Sequence, residues 1–155
     1  MQVNLNINNQ NKTIEIEPGE ILLDTLRNSG LHGPKRACST GDCGACTVII
    51  NGEAVNSCLI FTASVDGAKI LTVEGLGTVS NPHPLQKAFV EEGAVQCGYC
   101  IPGMLMSAKV LLDKNNNPSE EEIKTALGGH LCRCTGYVKQ IKAVMKAALQ
   151  LKGGR

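Results

Sequence analysis

Eight cysteines constrain this chain more than anything else in it. They fall into two groups of four: Cys38, Cys43, Cys46 and Cys58 in the first half, and Cys97, Cys100, Cys132 and Cys134 in the second. The N-terminus, MQVNLNINNQ, has neither a basic stretch nor an apolar run, so no export signal is visible and a cytoplasmic location is expected. Thiols there are kept reduced, which points to metal or redox chemistry before disulfides. No stretch nears the roughly 18 consecutive apolar residues of a membrane span, so membrane insertion is not expected. The aromatic residues are Phe61, Phe89, Tyr99 and Tyr137, too few for a base-stacking surface, and nucleic acid is not expected as a partner.

The texture of the chain changes between the two groups. Residues 3–7 alternate apolar and polar, Asn8 to Asn11 supply a turn, and Ile14 and Ile16 continue the alternation, so a hairpin is expected. Pro18-Gly19 breaks it, and residues 21–27 read as a short amphipathic helix ending near Gly30. A glycine-rich loop then carries the first three cysteines. Asn51-Gly52 between two apolar runs predicts a second hairpin with a type I′ turn, and residues 69–73 a last strand. Beyond the Gly/Ser/Asn/Pro-rich stretch 75–82 the pattern turns helical. One helix starts at Pro84, a second follows Cys100, a third is opened by a Ser119–Glu122 capping box, and a fourth runs on from Val138. The expected architecture is α+β, in two domains, 1–76 and 77–155, each built around one cysteine group.

The first group reads Cys38-x4-Cys43-x2-Cys46, then eleven residues, then Cys58. That is the ligand spacing of a plant-type 2Fe–2S site, which needs two thiolates per iron and a loop that turns its N–H groups inward. Gly41 and Gly44 allow such a loop. Structural zinc is the rival, although it favours two short Cys-x2–4-Cys knuckles. The second group is Cys97-x2-Cys100, thirty-one residues, then Cys132-x-Cys134. Its spacing suits zinc almost as well as iron–sulfur, and Cys97-Gly98-Tyr99-Cys100 alone would also pass for a thioredoxin-like redox motif. A Rieske centre needs two histidines, and none adjoins Cys97 or Cys100. His32, His83 and His130 read as surface or loop residues.

Four segments carry a family resemblance: Gly41-Asp42-Cys43-Gly44-Ala45-Cys46-Thr47-Val48, Ala94-Val95-Gln96-Cys97-Gly98-Tyr99-Cys100, Pro102-Gly103-Met104 and Leu131-Cys132-Arg133-Cys134-Thr135-Gly136-Tyr137. Through them the chain resembles the iron–sulfur subunit of molybdenum hydroxylases, the xanthine dehydrogenase, aldehyde oxidase and carbon monoxide dehydrogenase enzymes. The resemblance implies a ferredoxin-like β-grasp domain followed by a four-helix domain, each with one 2Fe–2S cluster, ligated by the first and second cysteine groups respectively. It implies two partners, a large molybdenum–pterin subunit and an FAD subunit, and allows a dimer of heterotrimers. It sets the helical-domain cluster nearest the pterin, with Gln96 against the pterin, and the other cluster nearest the flavin. It implies no catalytic residue on this chain, and a purine, another N-heterocycle or an aldehyde as the substrate of the complex.

Some positions depart from the family pattern. Ala37 and Ser39 flank Cys38 where glycine is usual, after Lys35-Arg36. Ile101 and His130 stand where threonine and asparagine are usual. Residues 123–155 carry seven cations, from Lys124 to Arg155, and no Asp or Glu, so this tail is +7 and the rest of the chain −6. Such a tail suits a solvated helix, an acidic partner or the neighbourhood of an anionic cluster. Two rival functions are open to such a chain. A free-standing two-cluster ferredoxin would need a polar surface throughout, whereas Gln96, Pro102-Gly103-Met104 and the basic tail suggest docking. A zinc-stabilised interaction module would be colourless.

Overall fold

Alternation of apolar and polar residues starts the fold. The computed structural model describes residues 1–153, and in it β1 (Gln2–Ile7) and β2 (Gln10–Glu15) pair antiparallel, with Val3 opposite Ile14 and Ile7 opposite Gln10. The turn is tighter than expected: Asn8 and Asn9 alone make it, at φ 52° and 65°, the left-handed pair that a type I′ turn needs. The second expected hairpin follows suit. Strands β3 (Thr47–Ile50) and β4 (Glu53–Asn56) join through Asn51 and Gly52, at φ 49° and 91°. The last strand, β5 (Lys69–Leu71), is shorter than expected. Asn8 ends it: its side chain accepts from the Thr72 N–H at 2.9 Å and donates to Thr72 Oγ1 at 3.0 Å, replacing ladder bonds. The sheet order is β2-β1-β5-β3-β4, with β1 and β5 parallel and the other pairs antiparallel.

Helix α1 (Leu22–Asn28) covers one face of this sheet. Leu22 and Leu26, one turn apart, pack with Val3, Leu5, Ile7, Val48 and Ile70. Period-two alternation then sends Ile49 and Leu71 to the opposite face, where they join the core of the helical half. Strand β3 is therefore covered on both sides. The two halves share apolar core.

The helical half holds α2 (Pro84–Glu91), α3 (Ile101–Lys114), α4 (Glu120–Leu127) and α5 (Val138–Gly153). Leu85, Phe89, Met104, Met106, Ile123 and Val144 fill its centre. Ala143, Ala147 and Ala148 keep α5 slim on its buried face. The capping box of α4 is present, with Ser119 N–H donating to Glu122 Oε2 at 2.7 Å. A second one opens α2, where His83 Nδ1 accepts from Leu85 N–H at 3.2 Å and Gln86 Oε1 from His83 N–H at 2.9 Å. Across the halves, Lys114 of α3 pairs with Glu53 of β4 at 2.7 Å. Among the described residues, no helix is long and apolar enough to cross a membrane.

The basic tail is less free than its sequence suggests. Lys124 bridges Glu120 and Glu121, each at 2.8 Å, and Lys146 reaches Glu91 at 3.0 Å and Glu92 at 2.9 Å. Two of its cations thus pair with carboxylates of this same chain; Arg155 lies outside the described residues.

Candidate metal centres

Cys38, Cys43 and Cys46 sit on the loop between α1 and β3, closed at its base by Lys35 N–H donating to Ala45 O at 2.9 Å. Ser39, Gly41 and Gly44 take φ of 58°, 86° and 69°, three left-handed residues that coil the loop around its cysteines. Of the two residues that flank Cys38 where glycine is usual, Ser39 takes a left-handed backbone and Ala37 does not. Gly44 has no room for a side chain, and one on Gly41 would have to push Leu59 aside. A Cβ on Gly41 would come 2.5 Å from Leu59 Cδ1, and one on Gly44 would come 2.5 Å from the Gly129 carbonyl oxygen. Side chains of the flanking elements pin the coil: Asn56 Nδ2 donates to Gly41 O and Thr47 Oγ1 to Gly44 O, both at 2.8 Å. Cys58 arrives from the 3-10 turn Ser57–Leu59, where Ser57 Oγ holds Cys46 O at 2.7 Å.

The four thiols lie near one another. Cys43 lies near Cys38, and Cys58 lies near both Cys46 and Cys38. Their electrostatics differ. The Thr40 backbone N–H, 3.5 Å from Cys38 Sγ, leads the interactions that draw Cys38 down to about 6. Burial pushes Cys58 up to about 11.

The second group comes from two loops, one entering α3 and one linking α4 to α5. Its thiols also gather: Cys100 lies near Cys132 and Cys97, and Cys134 near Cys97 and Cys132. Cys100 caps α3 and is buried, which raises it to about 12, whereas Cys97 and Cys134 are exposed. Burial acts to raise Cys132 as well, but hydrogen bonds from the side chain and backbone of Thr135 outweigh it and hold Cys132 below its ordinary value. Cys134 is raised, first by its hydrogen bond with Cys97. Thr135 Oγ1 lies 3.1 Å from Cys132 Sγ, Gln140 Nε2 donates to the same sulfur at 3.8 Å, and Cys132 N–H donates to Tyr137 Oη at 2.7 Å. All eight cysteines are free. Among the described residues, no three His, Cys, Asp or Glu side chains are grouped to hold a single metal ion.

The two groups are neighbours. A cavity of about 200 Å³ is lined by Cys43 of the first and by Cys97, Cys100, Cys132 and Cys134 of the second. Leu131 N–H donates to Cys43 O at 3.0 Å, and Tyr99 Oη donates to Arg36 O. The backbones touch here, since a Cβ on Gly103 would fall 2.2 Å from Gly44 O.

Other expected site residues separate. Gln96 is exposed beside Cys97. Met104, read with Pro102-Gly103 as part of a docking face, is instead fully buried, because its position on α3 points into the helical core. His130, expected at the surface or in a loop, lies in the α4–α5 loop but is only 4% exposed, packed at the junction of the halves. Its Nε2 is 2.7 Å from Ser107 Oγ. Its Nδ1 has no hydrogen-bond partner of good geometry, although it lies against the Gly44 backbone, and burial drives the ring below the ordinary histidine range. Gln140, fully buried beside Cys132, and Thr40 and Thr135 were missed. An uncharged polar residue on the apolar stripe of the last helix was the one available signal for Gln140; backbone donors leave none.

Residues 5–71 match the family described as 2Fe-2S iron-sulfur cluster binding domain, and residues 72–145 the family described as 2Fe-2S binding domain. The chain is 50% identical over 149 residues to the nicotinate dehydrogenase small FeS subunit of Eubacterium barkeri, covering 96% of this chain and 94% of that one. Quinoline 2-oxidoreductase from Pseudomonas putida 86 has a solved chain that superposes with a TM-score of 0.94 at 38% identity, covering 99% of this chain and 97% of that one. Aldehyde oxidoreductase from Desulfovibrio gigas gives a TM-score of 0.96 at 42% identity, with all 100% of this chain matching only 18% of that larger one. With a β-grasp-like sheet and a helical bundle, each matching a 2Fe–2S-binding family, this chain belongs to the iron–sulfur small subunits of the molybdenum hydroxylases.

Proposed function

We propose that this chain is the electron-transfer subunit of a molybdenum hydroxylase complex, holding one 2Fe–2S cluster on Cys38, Cys43, Cys46 and Cys58 and another on Cys97, Cys100, Cys132 and Cys134. The gathering of four free thiols at each of two places, in halves that each match a 2Fe–2S-binding family, carries this reading. A single zinc ion needs four donors around one point, whereas a 2Fe–2S cluster needs two thiolates at each of two irons. Such a cluster, when bound, takes up and returns one electron. The chain's own residues prepare for negative charge on sulfur. Thr40 N–H faces Cys38, Thr135 and Gln140 face Cys132, and the positive end of α3 begins at Cys100.

The exposed edge at Cys97 and Cys134 is where the large molybdenum–pterin subunit docks in this proposal, with Gln96 against the pterin. Val95, Leu131 and Val138, all exposed on the segments that carry this group, support a covered surface there. The FAD subunit takes the side of the first group, where Leu59 and Phe61 are exposed. A freely diffusing carrier would have no reason to keep these apolar residues outside. The two units divide after Leu76, in a protein of the reducing cytoplasm. The substrate is bound by the large subunit; nicotinate and quinoline, in the names of two relatives, favour an N-heterocycle, with an aldehyde as the other class.

Metal analysis of the purified complex tests the core of the proposal. About four iron and four acid-labile sulfide per copy of this chain are expected from the eight thiols. Zinc in place of iron at either group overturns the reading for that group.

A further inference from the structure

The junction between the halves contains a feature that the cluster sites do not require. His130 is buried, yet it is polar, and it touches both halves. On one side its Nε2 meets Ser107 Oγ of α3 at 2.7 Å. On the other its ring lies on the cysteine loop, so close that a Cβ on Gly44 would come 2.4 Å from Nδ1. Gly103 completes the fit: a Cβ there would be 3.2 Å from Nδ1 and 2.2 Å from Gly44 O. An imidazole is gripped between two glycines from different halves of the chain. The next residue, Leu131, makes the backbone bond to Cys43 at 3.0 Å, and the residue after that is Cys132. One hydrogen bond therefore links a cysteine of the first group to the neighbour of a cysteine of the second.

We propose that His130, anchored by Ser107, is a positioning residue that keys the Cys38–Cys46 loop onto the Cys132–Cys134 loop and holds the Leu131–Cys43 hydrogen bond between the two cysteine groups. The physical basis is the arrangement of the ring. Burying an imidazole costs free energy unless its polar atoms are used, and here one nitrogen is bonded while the other faces only the Gly44 backbone. A hydrophobic residue of similar size would fill the same volume without fixing the loop to α3. The hydrogen bond to Ser107 fixes the direction in which the ring leans on Gly44. This inference rests on the reading that both groups hold 2Fe–2S clusters, because the separation that His130 maintains matters for electron exchange between them.

The test uses the iron-loaded full-length chain in its complex, as wild type, His130→Ala, His130→Gln and Ser107→Ala. Three quantities are read: iron and sulfide per chain, the magnetic splitting between the two centres in the fully reduced protein, and hydrogen exchange at the Leu131 amide. That splitting depends steeply on separation and orientation, so it reports the junction and not the folding of either half. In His130→Ala, iron content holds while the splitting shrinks or broadens, and the Leu131 amide exchanges about tenfold faster, as loss of one supporting hydrogen bond implies. Ser107→Ala shifts both readings in the same direction. His130→Gln, whose amide reaches the place of Nε2, restores them. Unchanged splitting and exchange in both alanine variants, with iron retained, overturn the inference alone. So does failure of Gln to restore either reading. If His130→Ala does not retain iron, Ser107→Ala, which removes one hydroxyl, decides between the same outcomes. A wild-type complex without iron at either group overturns the proposed function and this inference together.

Discussion

Substituting Gly44 by alanine separates two costs that the structure assigns to one residue. Gly44 has φ 69°, a conformation that costs an L-residue about 1 kcal/mol. Its missing Cβ would also sit 2.5 Å from the Gly129 carbonyl oxygen and 2.4 Å from His130 Nδ1. The first of these neighbours is backbone and the second a buried ring held by Ser107, so neither yields without moving the junction. Overpacking of that kind adds about 1–3 kcal/mol. Gly44→Ala is therefore expected to lose about 2–4 kcal/mol. Two other glycines isolate the terms. Gly52 has φ 91° and open space where a Cβ would stand, with nothing within 4 Å, so Gly52→Ala should lose only the conformational part, about 1 kcal/mol. Gly129 has neither a positive φ nor a neighbour within 4 Å, so Gly129→Ala should be close to neutral. Urea titrations read by circular dichroism, under anaerobic reducing conditions, give the three values. Equal losses for Gly44→Ala and Gly52→Ala would refute the steric argument and with it the tight seating of the cysteine loop against the helical half.

Other outcomes follow from the sulfur environments. Gln140→Leu removes an N–H donor from Cys132 and should lower the midpoint potential of the second centre by about 20–60 mV, since N–H donors favour the more negative, reduced form; potentiometric paramagnetic resonance reads the shift, and an unmoved potential would show that this contact does not tune the site. Cys100→Ser should damage the second centre and leave substrate unable to reduce the first, which a chemical reductant still reduces; Cys43→Ser should give the converse, and rapid substrate reduction of the first centre in a Cys100→Ser protein would reverse the proposed order. In the iron-free chain, alkylation of Cys38 should be fast at neutral pH and slow as the pH falls through about 6, because its thiolate is the stabilised form, whereas Cys58 and Cys100, raised to about 11 and about 12, should react only in strong alkali. Thiol mapping by mass spectrometry gives the order, and equal rates at all three would contradict it. Ser119→Ala should lower stability by about 1 kcal/mol through loss of the α4 cap, read as a shift in thermal unfolding.

Local chemistry made much of this protein legible in its sequence. Asn51-Gly52 marks a type I′ turn because both residues tolerate positive φ, and Ser119 with Glu122 marks a helix start because each satisfies an orphan N–H of the other. The cysteine spacings were informative for the same reason: three ligands from one short loop depend on that loop's backbone, which neighbouring residues dictate. What lay outside the sequence depends on groups brought together from distant positions. Val48 and Ile49 are both apolar, and only packing assigns one to α1 and the other to the helical core. Met104 reads as a motif residue and proves to be core, because helix phase turns it inward. His130 reads as a loop histidine in a Gly-Gly-His run, and its burial arises from Gly44, Gly103 and Ser107, all of them distant from it in the chain. The gathering of Cys58 with Cys38 and Cys46, and of Cys132 and Cys134 with Cys97 and Cys100, is likewise a property of the fold, since spacing fixes which residues are near in the chain and packing decides which come together in space.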